Sequence, residues 1–205
     1  MDDETATWTA TQLAAAIRRK DIASRELLDL YLDRIDRLDE TVRAVVTLDA
    51  DRARAAATAA DEATAGSTAP EQELGPLHGL PVTIKDAIAT EGIRSTGGAT
   101  ELADHVPDAD APAVARLKQA GAIVFGKTNL PRWSGDLQTY NDLFGTTSNP
   151  WDPERAPGGS SGGAGAAVAA GFTSFEVGTD IAGSVRIPSH FCGVFGLKPS
   201  YGLVP

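Results

Sequence analysis

Ala113-Val-Ala-Arg-Leu-Lys-Gln-Ala-Gly-Ala-Ile-Val-Phe125 is the stretch that decides the fold class. Val114 and Leu117 fall on one face of a helix over 113–120, Gly121 stops it, and 122–125 is the short apolar run of a buried strand. Working upstream, Pro81-Val-Thr-Ile-Lys85 is a second short strand, ending on a lysine. Downstream, 158–171 is almost all Gly, Ser and Ala, and 172–177 is a third apolar strand. Helices alternating with short apolar strands imply an α/β layer structure around a mostly parallel or mixed sheet. Further upstream, residues 1–65 read as a helical layer. Thr9 is expected to cap a helix carrying Leu13, Ala14 and Ile17, and Ser24 a longer one carrying Leu27, Leu28, Tyr31, Ile35 and Leu38. A strand is expected over 42–48, an exposed Ala-rich helix over 49–64 and a loop over 65–75.

Composition narrows the function classes. The 205 residues are 42% hydrophobic and 22% charged, as in a soluble globular protein of one domain or two small ones. No run of about 18 apolar residues is present to span a membrane, and Met1-Asp2-Asp3-Glu4 has the wrong charge for a signal peptide or presequence. The net charge of −10 argues against a nucleic-acid partner or an anionic membrane surface. The single cysteine, Cys192, excludes an internal disulfide and a thiolate zinc site, and reads as a small buried residue. His78, His105 and His190 share no ligand spacing, so neither a metal nor a cofactor is expected. The expected location is the cytoplasm.

Two motif matches fail on context. Gly121-Ala-Ile-Val-Phe-Gly126-Lys127-Thr128 fits a phosphate-binding loop letter for letter, but its middle four residues are the apolar strand itself and Pro131 follows where a helix is needed. Gly158-Gly-Ser160-Ser161-Gly162 fits a nucleophile elbow, yet the preceding 149–157 holds three prolines where a strand must run into the serine. The histidine base that an elbow needs downstream could only be His190.

A third pattern is a constellation: Lys85 closing a buried strand, Ser160-Ser161 in a Gly-rich bend, and Ser184 after Thr179-Asp-Ile-Ala-Gly183. With Gly79-Leu-Pro-Val-Thr-Ile-Lys85-Asp86, Gly126-Lys-Thr-Asn129, Asn149-Pro-Trp151, Pro157-Gly-Gly-Ser160-Ser-Gly-Gly163, Gly178-Thr-Asp-Ile-Ala-Gly-Ser184-Val-Arg186 and Phe191-Cys-Gly-Val-Phe-Gly-Leu-Lys-Pro199, the chain resembles the amidase signature family of serine hydrolases from about Leu77 onward. The resemblance implies α/β/α layers around a mixed sheet, with residues 77–205 as the catalytic core segment behind the N-terminal helical layer. It also implies a fold incomplete at the C-terminus, since family members are much longer. The 205 residues are therefore expected to be one partial domain, a fragment.

Carried over by position, the resemblance makes Ser184 the nucleophile, Ser160 a bridging serine within a non-proline cis peptide, and Lys85 the base. A serine hydroxyl attacks only as its proton is removed, and a lysine accepts that proton only when neutral, which burial favours. Asp86 next door is expected to face away, because adjacent strand residues point to opposite faces. The backbone N–H groups of Ile181, Ala182 and Gly183 would form the oxyanion hole, with Ala182 where many relatives carry glycine. Asp180 and Arg186 read as structural supports, and Trp133 and Ser134 as substrate-binding residues. Trp133 and Tyr140 suit core or pocket alike.

The implied activity is hydrolysis of a small-molecule carboxylic amide to an acid and ammonia or an amine, with a homodimer left open. The alternative is the glutaminase component of a tRNA-dependent amidotransferase. Those proteins generally read T-D-T-G-G-S-x-R-Q, whereas this loop has Ile181 and Ile187 at two diagnostic places, which favours the free-standing hydrolase. A fragment without activity is a third reading.

Overall fold

A computed structural model describes residues 3–69 and 73–204. Met1, Asp2, Pro205 and positions 70–72 of the anticipated loop lie outside the described residues. The chain opens with α1 (Ala10–Arg18), α2 (Ser24–Val42), β1 (Val45–Leu48) and α3 (Ala50–Gly66). Thr9 caps α1 as its sequence implies, in reciprocal bonds with Gln12. Ser24 does not cap α2. It is the first helical residue, and the amides of Ser24 and Arg25 instead donate to the Asp61 carboxylate of α3 at 2.7 and 3.1 Å. A carboxylate reaching across from a neighbouring helix meets the unsatisfied first-turn N–H groups as a local cap would.

The core segment contributes β2 (Pro81–Lys85), α4 (Pro112–Gln119), β3 (Ile123–Thr128), the small antiparallel pair β4 (Tyr140–Asn141) and β5 (Gly145–Thr146), α5 (Gly162–Ala169), β6 (Glu176–Val177) and α6 (Arg186–Cys192). The main sheet is mixed, ordered β1-β3-β2-β6, with β1 antiparallel to β3 and with β2 parallel to both β3 and β6. One irregularity matters for the site. Val82 pairs with Val124 but Thr83 pairs with Gly126, so β3 carries one extra residue, Phe125.

Leu27, Leu28 and Tyr31 of α2 and Ala53 and Ala57 of α3 are buried against Val82, Ile84 and Phe125 of the sheet, with Tyr31 stacked on Phe125. The Ala-rich α3 is thus exposed over most of its length, as expected, and buries only Ala53, Ala57 and Thr64. Two strand expectations shorten. Val42 ends α2 instead of opening β1, and 172–175 is irregular, leaving only Glu176 and Val177 in the ladder. Conversely, β3 runs on through Gly126, Lys127 and Thr128, all buried, which settles the phosphate-loop match. Those residues are strand, and the Lys127 ammonium is spent on the Ile88 carbonyl and the Thr90 and Ser95 hydroxyls. No strand runs into Ser160 either.

Candidate active site

The site is built where β2 ends. Lys85 is fully buried, and its Nζ donates to Ser160 Oγ at 2.6 Å and to Thr179 Oγ1 at 2.8 Å. Burial pulls its pKa down from 10.5 to about 7, against the opposing pull of Glu176 and Asp180. Asp86 turns the other way: it accepts from the backbone and hydroxyl of Thr96, and its field acts on Lys127. The alternation of the strand therefore gives each of two buried lysines its own surroundings.

Ser160 follows a cis Gly159–Ser160 peptide bond. The bend is possible because the segment packs backbone to backbone. A methyl group at Gly163, in the first turn of α5, would lie 2.4 Å from the Asn129 amide nitrogen and 2.5 Å from the Asn129 carbonyl oxygen. The serine bend is joined to the 179–184 loop by Ser161 N–H donating to the Ser184 carbonyl at 3.0 Å, and by Ser161 Oγ donating to the Thr179 carbonyl at 3.3 Å. Ser184 itself is half-buried at the loop's end.

Asp180 organises that loop. Its carboxylate accepts from the amides of Gly183, Val185 and Arg186 and takes a two-pronged contact from the Arg186 guanidinium at 2.9 and 3.0 Å. The Arg186 guanidinium first, and then these amides, hold its carboxyl well below the usual carboxylate range, outweighing its desolvation. The Gly183 N–H is committed to Asp180 at 2.8 Å, while Ile181 and Ala182 are exposed. Gly183 has φ +111°, whereas Ala182 is not among the residues with positive φ, so the alanine sits there without backbone strain.

Trp133 and Ser134 both adopt left-handed backbone, with φ 54° and 58°. They line a cavity of about 220 Å³ together with Asp86, Ser95, Gly97 and His105; Lys85, Ser160 and Ser184 are not part of its wall. Trp133 and Tyr140 are 55% and 48% exposed, so neither is a core residue. His78 is held by Thr64 and Ala60, and His190 lies exposed on α6. Among the described residues no three of His, Cys, Asp and Glu gather as a metal site, and no helix is long and apolar enough to cross a membrane.

Sequence reasoning passes over three residues of this region: Thr128, Thr179 and Glu176. Thr128 Oγ1 donates to Glu176 Oε1 at 2.5 Å, and Thr179 holds Lys85. A signal for Glu176 does exist, since it is the one carboxylate in an otherwise apolar or hydroxylic strand run.

Comparison with known proteins gives a consistent result. The family model described as Amidase matches residues 26–205. The A subunit of the glutamyl-tRNA(Gln) amidotransferase of Moorella thermoacetica is 47% identical over 196 residues, 96% of this chain and 39% of that protein. Among solved structures, the peptide amidase of Stenotrophomonas maltophilia superposes with a TM-score of 0.88 at 37% identity, covering 96% of this chain and 41% of that one. A 6-aminohexanoate cyclic dimer hydrolase gives 0.81 at 33% identity, covering 92% and 37%. The chain thus spans about two fifths of the length of the relatives it matches.

Proposed function

This chain belongs to the amidase family, and from that premise we propose that it carries the catalytic side chains of an enzyme that cleaves carboxylic amides through an acyl-enzyme on Ser184. The observation that carries the reading is the 2.6 Å contact between Lys85 Nζ and Ser160 Oγ in a fully buried setting. With Lys85 neutral, its nitrogen accepts the Ser160 proton while Ser160 Oγ accepts the proton of Ser184. The freed Ser184 oxygen bonds to the amide carbon, and the carbonyl oxygen takes up the negative charge. The backbone amides of Ile181 and Ala182 serve as its donors, and the Gly183 amide holds the loop to Asp180. Collapse of the adduct breaks the C–N bond, the leaving nitrogen takes the proton back along the same relay, and water then releases the acid. The substrate-binding role of Trp133 and Ser134 stays a proposal from the resemblance, since the cavity they line excludes the three catalytic side chains.

On substrate, the balance differs from the sequence expectation of a free-standing hydrolase. The identity to the A subunits of glutamyl-tRNA(Gln) amidotransferases favours glutamine as the amide, with ammonia as the product delivered within a complex of partner proteins. The free-standing reading keeps one specific support, the isoleucines at 181 and 187 and Ala182 in the loop. An ammonia-release assay on glutamine with added partner proteins, run against aryl and aliphatic amides without them, separates the two. The shared chemistry is tested by fluorophosphonate labelling mapped by mass spectrometry. The label is expected on Ser184 and absent from Ser184→Ala, which loses turnover; labelling at Ser160 or Ser161 sinks the assignment.

A further inference from the structure

A carboxyl that the relay does not use shares a face of the sheet with its base. Glu176 stands on β6 opposite Thr83 of β2, and Lys85 follows Thr83 by two residues, so all three share one face of the sheet. Thr128 joins the same face, being the residue of β3 in register with Lys85, and its hydroxyl donates to Glu176 Oε1 at 2.5 Å. The second carboxyl oxygen, Oε2, is buried outside any hydrogen bond of normal geometry, with the Thr83 hydroxyl as its polar neighbour. A carboxylate held so sparsely out of water is costly unless a cation compensates it or it is protonated. Lys85 and Lys127 are the buried cations whose fields reach it.

We propose that Glu176 is a positioning residue for Lys85, its pinned and buried carboxyl setting the charge state in which the lysine meets Ser160. The inference rests on the reading of Lys85 as the base. As an anion, Glu176 stabilises the Lys85 ammonium and so holds back the free amine; as an acid, it releases that hold. Burial pushes the Glu176 carboxyl up to about 7, level with the value to which burial brings Lys85, so the two groups exchange charge over one pH range. Other charges also face the pair. Asp180 acts on Lys85 from the 179–184 loop, and Lys127 is itself faced by Asp86, Asp110 and Lys118.

Glu176→Gln separates charge from shape, since the amide oxygen can still accept from Thr128. The reading is direct: the ¹³Cε shift of Lys85, assigned by comparison with Lys85→Arg, followed as a function of pH in the whole chain. Its titration midpoint is expected to fall by about one pH unit or more in Glu176→Gln, as for loss of a nearby opposite charge. Thr128→Val keeps the carboxyl but weakens its ionised form, so a smaller fall in the same direction is expected. That variant also provides the test should Glu176→Gln not fold, and Glu176→Asp is expected to recover part of the native midpoint. A midpoint unmoved in a folded Glu176→Gln, or in Thr128→Val when that is the folded variant, overturns the inference. Its failure is distinct from failure of the parent reading. Amide hydrolysis surviving in Ser184→Ala removes the base assignment, whereas its loss there alongside an unmoved midpoint removes only the role of Glu176.

Discussion

Lys85 shows how little a side chain's identity says without its surroundings. Lysines are usually exposed and charged; this one has no exposed surface, and burial brings its pKa to about 7. On the proposed mechanism the neutral amine is the active form. The expected pH profile of kcat/KM therefore has an acid limb near pH 7, rising tenfold per pH unit below it. Lys85→Ala is expected to remove that limb along with nearly all turnover. Linkage gives the same residue a second signature. Between about 7 and 10.5 the unfolded chain binds a proton at this site that the folded chain does not, so folding stability gains from Lys85 as pH rises through that window. Chemical unfolding at pH 7.5 and pH 9.5, in the native chain and in Lys85→Met, checks the sign: the variant is expected to lose most of the increment.

At the scale of elements, the thin helix α5 is the part whose sequence and structure agree most closely. The run of small residues met in sequence over 158–171 forms a close-packed helix behind the serine bend, and Gly163 shows why nothing larger fits. Gly163→Ala must push a methyl group into main-chain atoms of Asn129, and it is expected to cost about 1–3 kcal/mol, seen as a lowered thermal midpoint. Gly66→Ala is the matched control. It meets nothing within 4 Å and is expected to leave the midpoint unchanged or slightly raised. Where sequence reasoning falls short, the missing information is tertiary. Ser24 carries the right chemistry for a cap, but the Asp61 carboxylate, 37 residues away, reaches the same amides. Glu176 and Thr128 are 48 residues apart and become partners only through the sheet order β1-β3-β2-β6, which no local pattern encodes. The commitment of the Gly183 amide to Asp180 is likewise invisible to spacing, although Asp180 is recognisable as a support.

For the molecule as a whole, the α/β layering is legible in the alternation of helices and short strands, and the contact between Lys85 and Ser160 is what the resemblance to amidase signature enzymes implies. The distribution of surface does not follow. Ile181, Phe195 and Leu197 are 98%, 92% and 69% exposed, and Phe191 and Leu203 are exposed as well. Large apolar side chains left exposed in this number bind hydrophobic dyes and promote association. The 205-residue chain, expressed as such, is expected to bind such a dye and to sediment with a concentration-dependent mass. A Phe195→Ser/Leu197→Ser double variant is expected to bind less dye with its melting curve little changed, since exposed positions contribute little to stability.

The extra residue in β3 has a consequence for the arithmetic of the whole site. Without the bulge, with Phe125 paired to Thr83 in regular register, Lys85 would stand level with Lys127, and the two ammonium groups would crowd one side of the sheet. With it, the lysines are half a period out of phase: one is delivered to the serines and the other to the 88–95 turn. Phe125 is thus a spacer as well as a core side chain. The hydrophobic layer that Tyr31 and Phe125 anchor keeps time for a charge pattern that is laid out beyond it, on the strand ends.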